Sequence, residues 1–264
     1  MSVTLNRYAN GSMHACTMSF DDGRIYDRTL VEIFNRYGLK GTFHLNSGKF
    51  GRDGYISGDE VASLYQGHEV SLHTVTHPHL SMVSRPTLLK EVLQDKETLE
   101  GLAGYPIRGM SLPFGDYDPG VVEVLRACGI EYFRTVRSTG LFALPKNLPE
   151  WDPTIHIKKP DPELIERFMD NPFEQIRLLY VWGHSYEFND NDTWDMIEGF
   201  CRDVSSREGI WFATNIEVKE YLDALRALVV SQDETMVFNP SGIDVCVSVD
   251  GEPHVVRARE LVRL

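Results

Sequence analysis

Strand-like and helix-like segments alternate along most of this 264-residue chain, and that alternation limits its fold more than any other feature. A strand followed by an amphipathic helix, many times over, buries its apolar surface best when the strands run parallel and the helices pack outside them. "HACTMSF" is an apolar run of strand length. "YDRTLVEIFNRYG" follows, with Leu30, Ile33, Phe34 and Tyr37 on one helical face and Gly38 as its stop. "GTFHLN" is the next strand. "SGDEVASLYQG" is a helix opened by Ser57, with Glu60 completing a capping box. "EVSLHT" with "TLLKEVLQDKETLEGL", and "RGMSLP" with "DPGVVEVLRACG", repeat the cycle. "EYFRTV", "TIHI", "LLYVWGH" and "GIWFAT" supply further strands, with helices expected near 161–170, 192–207 and 215–228.

Seven or eight such units in series favour closure into a barrel over the competing open, doubly wound sheet. From about Thr235 the pattern changes. "IDVCVSVDGEPHVVRA" alternates at period two around Asp250-Gly251, which signals a hairpin. The expected organisation is an α/β barrel over residues 1–230 and a small C-terminal β-hairpin appendage over residues 231–264.

Acidic residues outnumber basic ones 39 to 26, for a formal charge of -13. That balance argues against nucleic acid or an anionic membrane as a partner, since either calls for a basic face. Cys16, Cys128, Cys201 and Cys246 are scattered with no CxxC pair, so buried free thiols are expected. "MSVTLNRYANGSMHACT" contains neither an apolar signal core nor a transmembrane run, which makes a cytoplasmic location the default expectation.

Chemistry in a β/α barrel sits at the C-terminal ends of the strands, and here those ends are rich in titratable groups. The first carries Asp21 and Asp22; the third carries His73, His77 and His79. The fourth leads to Asp116 and Asp118, and the seventh to His184 and Glu187. His73 and His77 have the i, i+4 spacing of two ligands on a helix, yet Pro78 and the β-branched residues between them disfavour one. HxxxH alone is weak evidence. Together with a carboxylate from a neighbouring strand end it becomes a His-His-Asp set that leaves a position open on a divalent ion. Two adjacent carboxylates then divide the work, one for the ion and one for a proton. His184, behind Gly183, can serve as an acid across the site or simply cap its strand.

With "SFDDG" at 19–23, "HTVTH" at 73–77 and "PFG" at 113–115, the sequence resembles the polysaccharide deacetylases, the NodB-homology proteins of carbohydrate esterase family 4. The resemblance covers roughly residues 14–226. It implies a distorted (β/α)7 barrel and metal-dependent removal of acyl groups from N- or O-acylated sugars. Carried over by position, Asp21 matches the catalytic base, Asp22, His73 and His77 match the metal ligands, and His184 matches the general acid. The segment of Pro113 and Phe114 matches the one that supplies a backbone N–H to the oxyanion. Zn²⁺ suits two histidines and an aspartate, although Co²⁺, Ni²⁺ or Fe²⁺ fit the same donors.

Three positions depart from the family pattern. Ser111 stands where an arginine usually orients the base. Arg108 lies at the start of its strand, whereas Arg134 within "EYFRTV" is a candidate replacement that could equally point outward. The fourth motif matches only loosely, around Trp151 and Asp152. In the last motif Trp182 occupies a leucine position, where it lines the acyl pocket or packs in the core, and Glu187 follows as a candidate substrate contact. The leading expectation is a deacylase acting on a small acylated sugar, with homo-oligomerisation through the appendage open. The alternatives are a hydrolase of a non-carbohydrate amide or imide, and a non-catalytic carbohydrate-binding barrel.

Overall fold

The computed structural model describes residues 2–145, 148–158 and 161–264. Among these, the main sheet contains nine strands: β1 (His14–Asp21), β2 (Gly41–Leu45), β3 (Glu69–Leu72), β4 (Gly109–Ser111), β5 (Tyr132–Arg134), β6 (Glu150–Trp151), β7 (Ile155–His156), β8 (Arg177–His184) and β9 (Ile210–Phe212). Every pairing within it is parallel. β1 lies against β2 on one side and along the whole of β8 on the other, while β9 takes the lower part of its β2 side. The sheet runs outward from β2 through β3, β4 and β5 to β6. β6 and β7 are nearly continuous in sequence, yet β6 pairs with β5 and β7 with β8. The segment 150–156 therefore carries the hydrogen bonding from one end of the sheet to the other, and the result is the distorted barrel expected.

Helices cover the outside. α1 (Asp27–Tyr37) turns its buried Leu30, Val31, Ile33 and Phe34 inward and ends at Gly38, whose φ of 68° is left-handed as a C-cap requires. The segment opened by Ser57 has both capping-box bonds, but it is a 3₁₀ turn followed by the one-turn helix α2 (Val61–Leu64). The remaining helices are α3 (Arg85–Ala103), α4 (Pro119–Ala127), α5 (Leu164–Met169), α6 (Ser185–Asp190), α7 (Trp194–Ser205) and α8 (Asn215–Arg226). Of these, α6 was not anticipated from the sequence.

Alternation along β1 separates two environments. Cys16, Met18 and Phe20 join the core between sheet and helices, where Phe20 meets Phe34, Phe43 and Phe188. Burying each such side chain is worth about 1.5–3 kcal/mol. Thr17, Ser19 and Asp21 are buried too, but in polar company. Thr17 bonds Asn215, Asn215 bonds Tyr180, and Ser19 bonds His44. Deeper in, Glu69 accepts from Thr42, Tyr132 and the backbone N–H of Ile216 at the start of α8. Burial nevertheless lifts its carboxyl to about 7.

The N- and C-terminal parts meet at a second apolar cluster. There Tyr8, Leu178 and Tyr221 pack with Val237, Val245, Val247 and Val256. Residues Val245–Val249 and Glu252–Val256 form the hairpin expected around Asp250-Gly251, both left-handed, and Val3–Thr4 adds a third strand to it. A further small antiparallel sheet joins Val229–Val230, Met236–Phe238 and Leu261–Arg263. The four cysteines are free, three of them buried. Among the described residues no helix is long and apolar enough to cross a membrane.

Candidate active site

Register places the site. On the sheet Asp21 is the partner of His44 on one side and of His184 on the other, and Ser111 is the partner of Arg134. Five strand ends therefore bring their polar side chains to the same end of the barrel. Asp21 is 3% exposed and Arg134 is fully buried. The Arg134 guanidinium donates to Asp21 Oδ2, and its Nε also reaches Ser19 at 3.2 Å. Ser111 donates to the other carboxylate oxygen at 2.9 Å and lies 2.7 Å from His73 Nδ1. Burial alone would raise the Asp21 carboxyl. The Arg134 cation and the imidazoles of His73, His44 and His184 outweigh it and hold Asp21 well below the usual carboxylate range. Asp21 is thus an ionised, oriented acceptor at neutral pH. Arg134 points into the barrel, whereas Arg108 pairs with Glu131 and Glu220 away from the site.

Asp22, His73 and His77 converge. Asp22 Oδ1 is 3.7 Å from Nε2 of each histidine, and the three donor atoms lie within 4.8 Å of one another. This oxygen is buried and has no hydrogen-bond partner among the described residues, so the cluster fits a cation better than it fits itself. Two imidazoles and one carboxylate are the donor set of an open divalent site. Burial keeps both histidines neutral: His73 falls below its ordinary value, and His77 falls to about 4 with His73 as a second cause.

The backbone here is strained in a consistent way. Asp22 (φ 82°), Thr74 (68°), His77 (65°) and Phe114 (60°) are all left-handed, which costs non-glycine residues energy and concentrates at functional sites. No helix spans His73 and His77. A bent loop delivers both, and helix α3 holds it: Asp95 accepts from the N–H groups of Ser47 and His73, and Glu91 from the N–H and hydroxyl of Thr76.

His184 stands opposite the ligand trio, its Nε2 4.0 Å from Asp21. Its other nitrogen faces Glu187 Oε2 at 3.5 Å, with His156 Nε2 3.2 Å from the same oxygen and Lys158 3.5 Å from its twin. Burial opposes charging of His184. Glu187 above all, then Asp21 and Asp22, outweigh that and raise it above the ordinary histidine value. Glu187 is only 11% exposed and is turned toward these imidazoles, so it is better placed to orient His184 than to meet substrate.

A cavity of about 250 Å³ opens over the cluster, lined also by Leu112, Phe114, Val136, Trp182 and Tyr186. Phe114 is 55% exposed and stacks on His79. Trp182 covers the Arg134 guanidinium at 4.3 Å and donates its indole N–H to Ser138. Pro113 is buried at the start of the Phe114 turn. Trp151 packs between Tyr132 and Tyr180, and Asp152 bonds Thr135 and Arg137. Asp118 caps α4 and Asp116 accepts from Ser81. Sequence reasoning singled out neither His156 nor Lys49, which approaches Asp22 at 4.0 Å. His156 lies in the two-residue strand β7 and Lys49 ends a 3₁₀ turn, elements too short to mark either as a site residue.

The fold and site define a β/α barrel with Asp21 and His184 facing each other beside a candidate divalent-metal cluster at its strand ends. Residues 9–133 match the family model described as polysaccharide deacetylase, and the resemblance to that family is thereby established over this part of the chain. A peptidoglycan-N-acetylglucosamine deacetylase of Bacillus cereus is 28% identical over 104 residues, 38% of this chain and 36% of that protein. The chain spans about a quarter to a third of the length of the curated relatives it matches. A candidate polysaccharide deacetylase of Mycobacterium smegmatis shares the fold, with a TM-score of 0.64 and 17% identity over 83% of this chain and 93% of that one. So does a pseudoenzyme of carbohydrate esterase family 4 from Bacillus anthracis, with a TM-score of 0.52 and 14% identity over 77% of this chain and 64% of that one. The fold alone therefore does not establish catalysis.

Proposed function

We propose that this protein is a metal-dependent hydrolase that removes an acetyl group from an N- or O-acetylated sugar. The observation that carries the reading is the unpartnered, buried Asp22 Oδ1 between His73 and His77, one residue from an ionised Asp21. A divalent ion held by Asp22, His73 and His77 would supply Lewis acidity, making water a better nucleophile and the acyl carbonyl a better electrophile. Asp21, fixed by Arg134 and Ser111, takes the proton from the attacking water. His184, whose protonated form Glu187 favours, returns a proton to the departing amine or alkoxide. The turn at Phe114 supports the oxyanion through its backbone N–H, while Phe114 and Trp182 bound the space for the acyl group. The test is acetate release from N-acetyl sugars, chitooligosaccharides and acetylated xylan by chelated protein, with and without added Zn²⁺, Co²⁺, Ni²⁺ or Fe²⁺. Acetate that appears only with metal supports the reading. Protein that binds no metal and releases no acetate refutes it.

A further inference from the structure

Two cations stand beside this site without a carboxylate of their own. The Arg24 guanidinium lies between two tyrosines, 4.5 Å from the ring centre of Tyr55 and 5.3 Å from that of Tyr186. It donates to the Tyr55 hydroxyl at 3.3 Å, while its buried Nε has no partner among the described residues. Tyr186 in turn lines the active-site cavity. Lys49 faces the same Tyr55 ring at 5.4 Å, and the nearest carboxylate oxygen to it is Asp22 Oδ1, at 4.0 Å. On the reading above, that oxygen belongs to a metal ion, so a loaded site leaves Lys49 facing a dication. Lys158 and Arg134, the other cations here, have Glu187 and Asp21 as partners. Two cations that converge on one tyrosine ring with no carboxylate of their own in a loaded site, in a chain otherwise of net charge -13, form a local positive spot suited to an anion.

We infer that Arg24 and Lys49 recognise a carboxylate on the substrate, which makes the preferred substrate an acetylated sugar that carries an acidic group. A guanidinium positioned by two tyrosine rings still has N–H donors left for a planar carboxylate after its bond to Tyr55, and Lys49 adds a point charge next to it. This inference rests on the proposed deacetylation, and its test separates the two. N-acetylmuramic acid and its methyl ester have nearly the same shape and differ in one charge. The zinc-loaded protein is assayed for acetate release on both, and calorimetry measures the binding of both.

The acid should surpass the ester about tenfold or more in kcat/KM and in affinity, a factor in keeping with hydrogen bonds to charged groups. The preference should shrink between 50 and 500 mM salt. In Lys49→Met and Arg24→Met the acid-to-ester ratio should fall toward one, and Arg24→Lys should restore only part of it. Equal treatment of acid and ester by the wild type overturns the inference. So does a ratio that survives both substitutions, or a loss that strikes acid and ester equally, which would assign the cations to the oxyanion instead. If neither sugar yields acetate, the deacetylase reading fails, and the binding ratio still decides for or against the carboxylate site.

Discussion

Replacing Arg134 by methionine tests the electrostatic arrangement of the site most directly. The side chain is fully buried against a carboxylate that is 3% exposed, and removing one partner of such a pair leaves an uncompensated charge in a medium that solvates it poorly. The cost expected is about 3–5 kcal/mol, or a fall in Tm of roughly 6–20 °C for a chain of this size. Some of it, about 1 kcal/mol, belongs to the lost contact with Trp182 rather than to Asp21. The two parts separate by pH and by a second mutation. In the wild type the depressed Asp21 contributes stability that is present above its unfolded value of about 3.9 and is lost only as pH falls through its lower folded value. In Arg134→Met the burial of Asp21 is no longer opposed by the guanidinium, so its folded value rises. The variant then regains stability as pH falls through that raised value toward 4.

The stability gap should be widest near pH 7.5 and narrower near pH 4.5 in urea denaturation of chelated protein. Arg134 also helps to lower His73 and His44, so its loss relieves both and narrows the gap at low pH in the same sense; the second mutation is what assigns the effect to Asp21. Adding Asp21→Asn to Arg134→Met should recover at least about 1.5 kcal/mol relative to additivity, a coupling typical of contacting residues. A gap that is the same at both pH values, together with additive single mutants, would refute the pairing as the source of Asp21's ionisation.

Asp22→Ala and His77→Ala should each lose bound divalent metal, read by elemental analysis after gel filtration, and with it all acetate release. Asp21→Asn should retain the metal and lower kcat at least a hundredfold, in line with removal of a general base. On the proposed mechanism activity is lost as His184 deprotonates, and Glu187 is the main group favouring its proton, so Glu187→Gln should move the alkaline limb of the kcat profile to lower pH. An unmoved limb assigns that limb to another group. Gly183→Ala would place its Cβ 2.8 Å from Ile157 Cγ2, so it should destabilise by about 1–3 kcal/mol and lower kcat by shifting the neighbouring His184. Calorimetry with an activity assay checks both.

Parts of this arrangement are legible in the sequence because they obey a period or a spacing. The helix over 27–37 shows its apolar stripe and its terminal glycine, and the alternation of β1 sends Asp21 to the same side as Ser19. The number of β/α units makes a barrel legible, but the way it closes is not. It depends on Glu150–Trp151 and Ile155–His156, two strands of two residues each, whose hydrogen bonds come from different neighbours. His156 escaped notice for the same reason. Arg24 and Lys49 were invisible because nothing in one dimension brings residue 24 to residue 55, or residue 49 to residue 22. α6 was missed because its six residues directly after the strand are too few to show a helical period, while in three dimensions His184 and Glu187 cap its first turn.

Ser111 and Arg134 show why a sequence departure at a motif need not be a functional one. They are register partners on adjacent parallel strands, so they sit at the same depth in the barrel and differ only in lateral position. A guanidinium is long enough to cover that difference, and from β5 it reaches Asp21 while Trp182 covers its face. Ser111 then fills the vacated space with a hydroxyl short enough to bridge Asp21 and His73 at once, which an arginine there could not do. The carboxylate keeps a full positive charge beside it and gains a second donor. What the barrel fixes is a cation at the level of Asp21, and any neighbouring strand whose side chain points inward at that level can supply it.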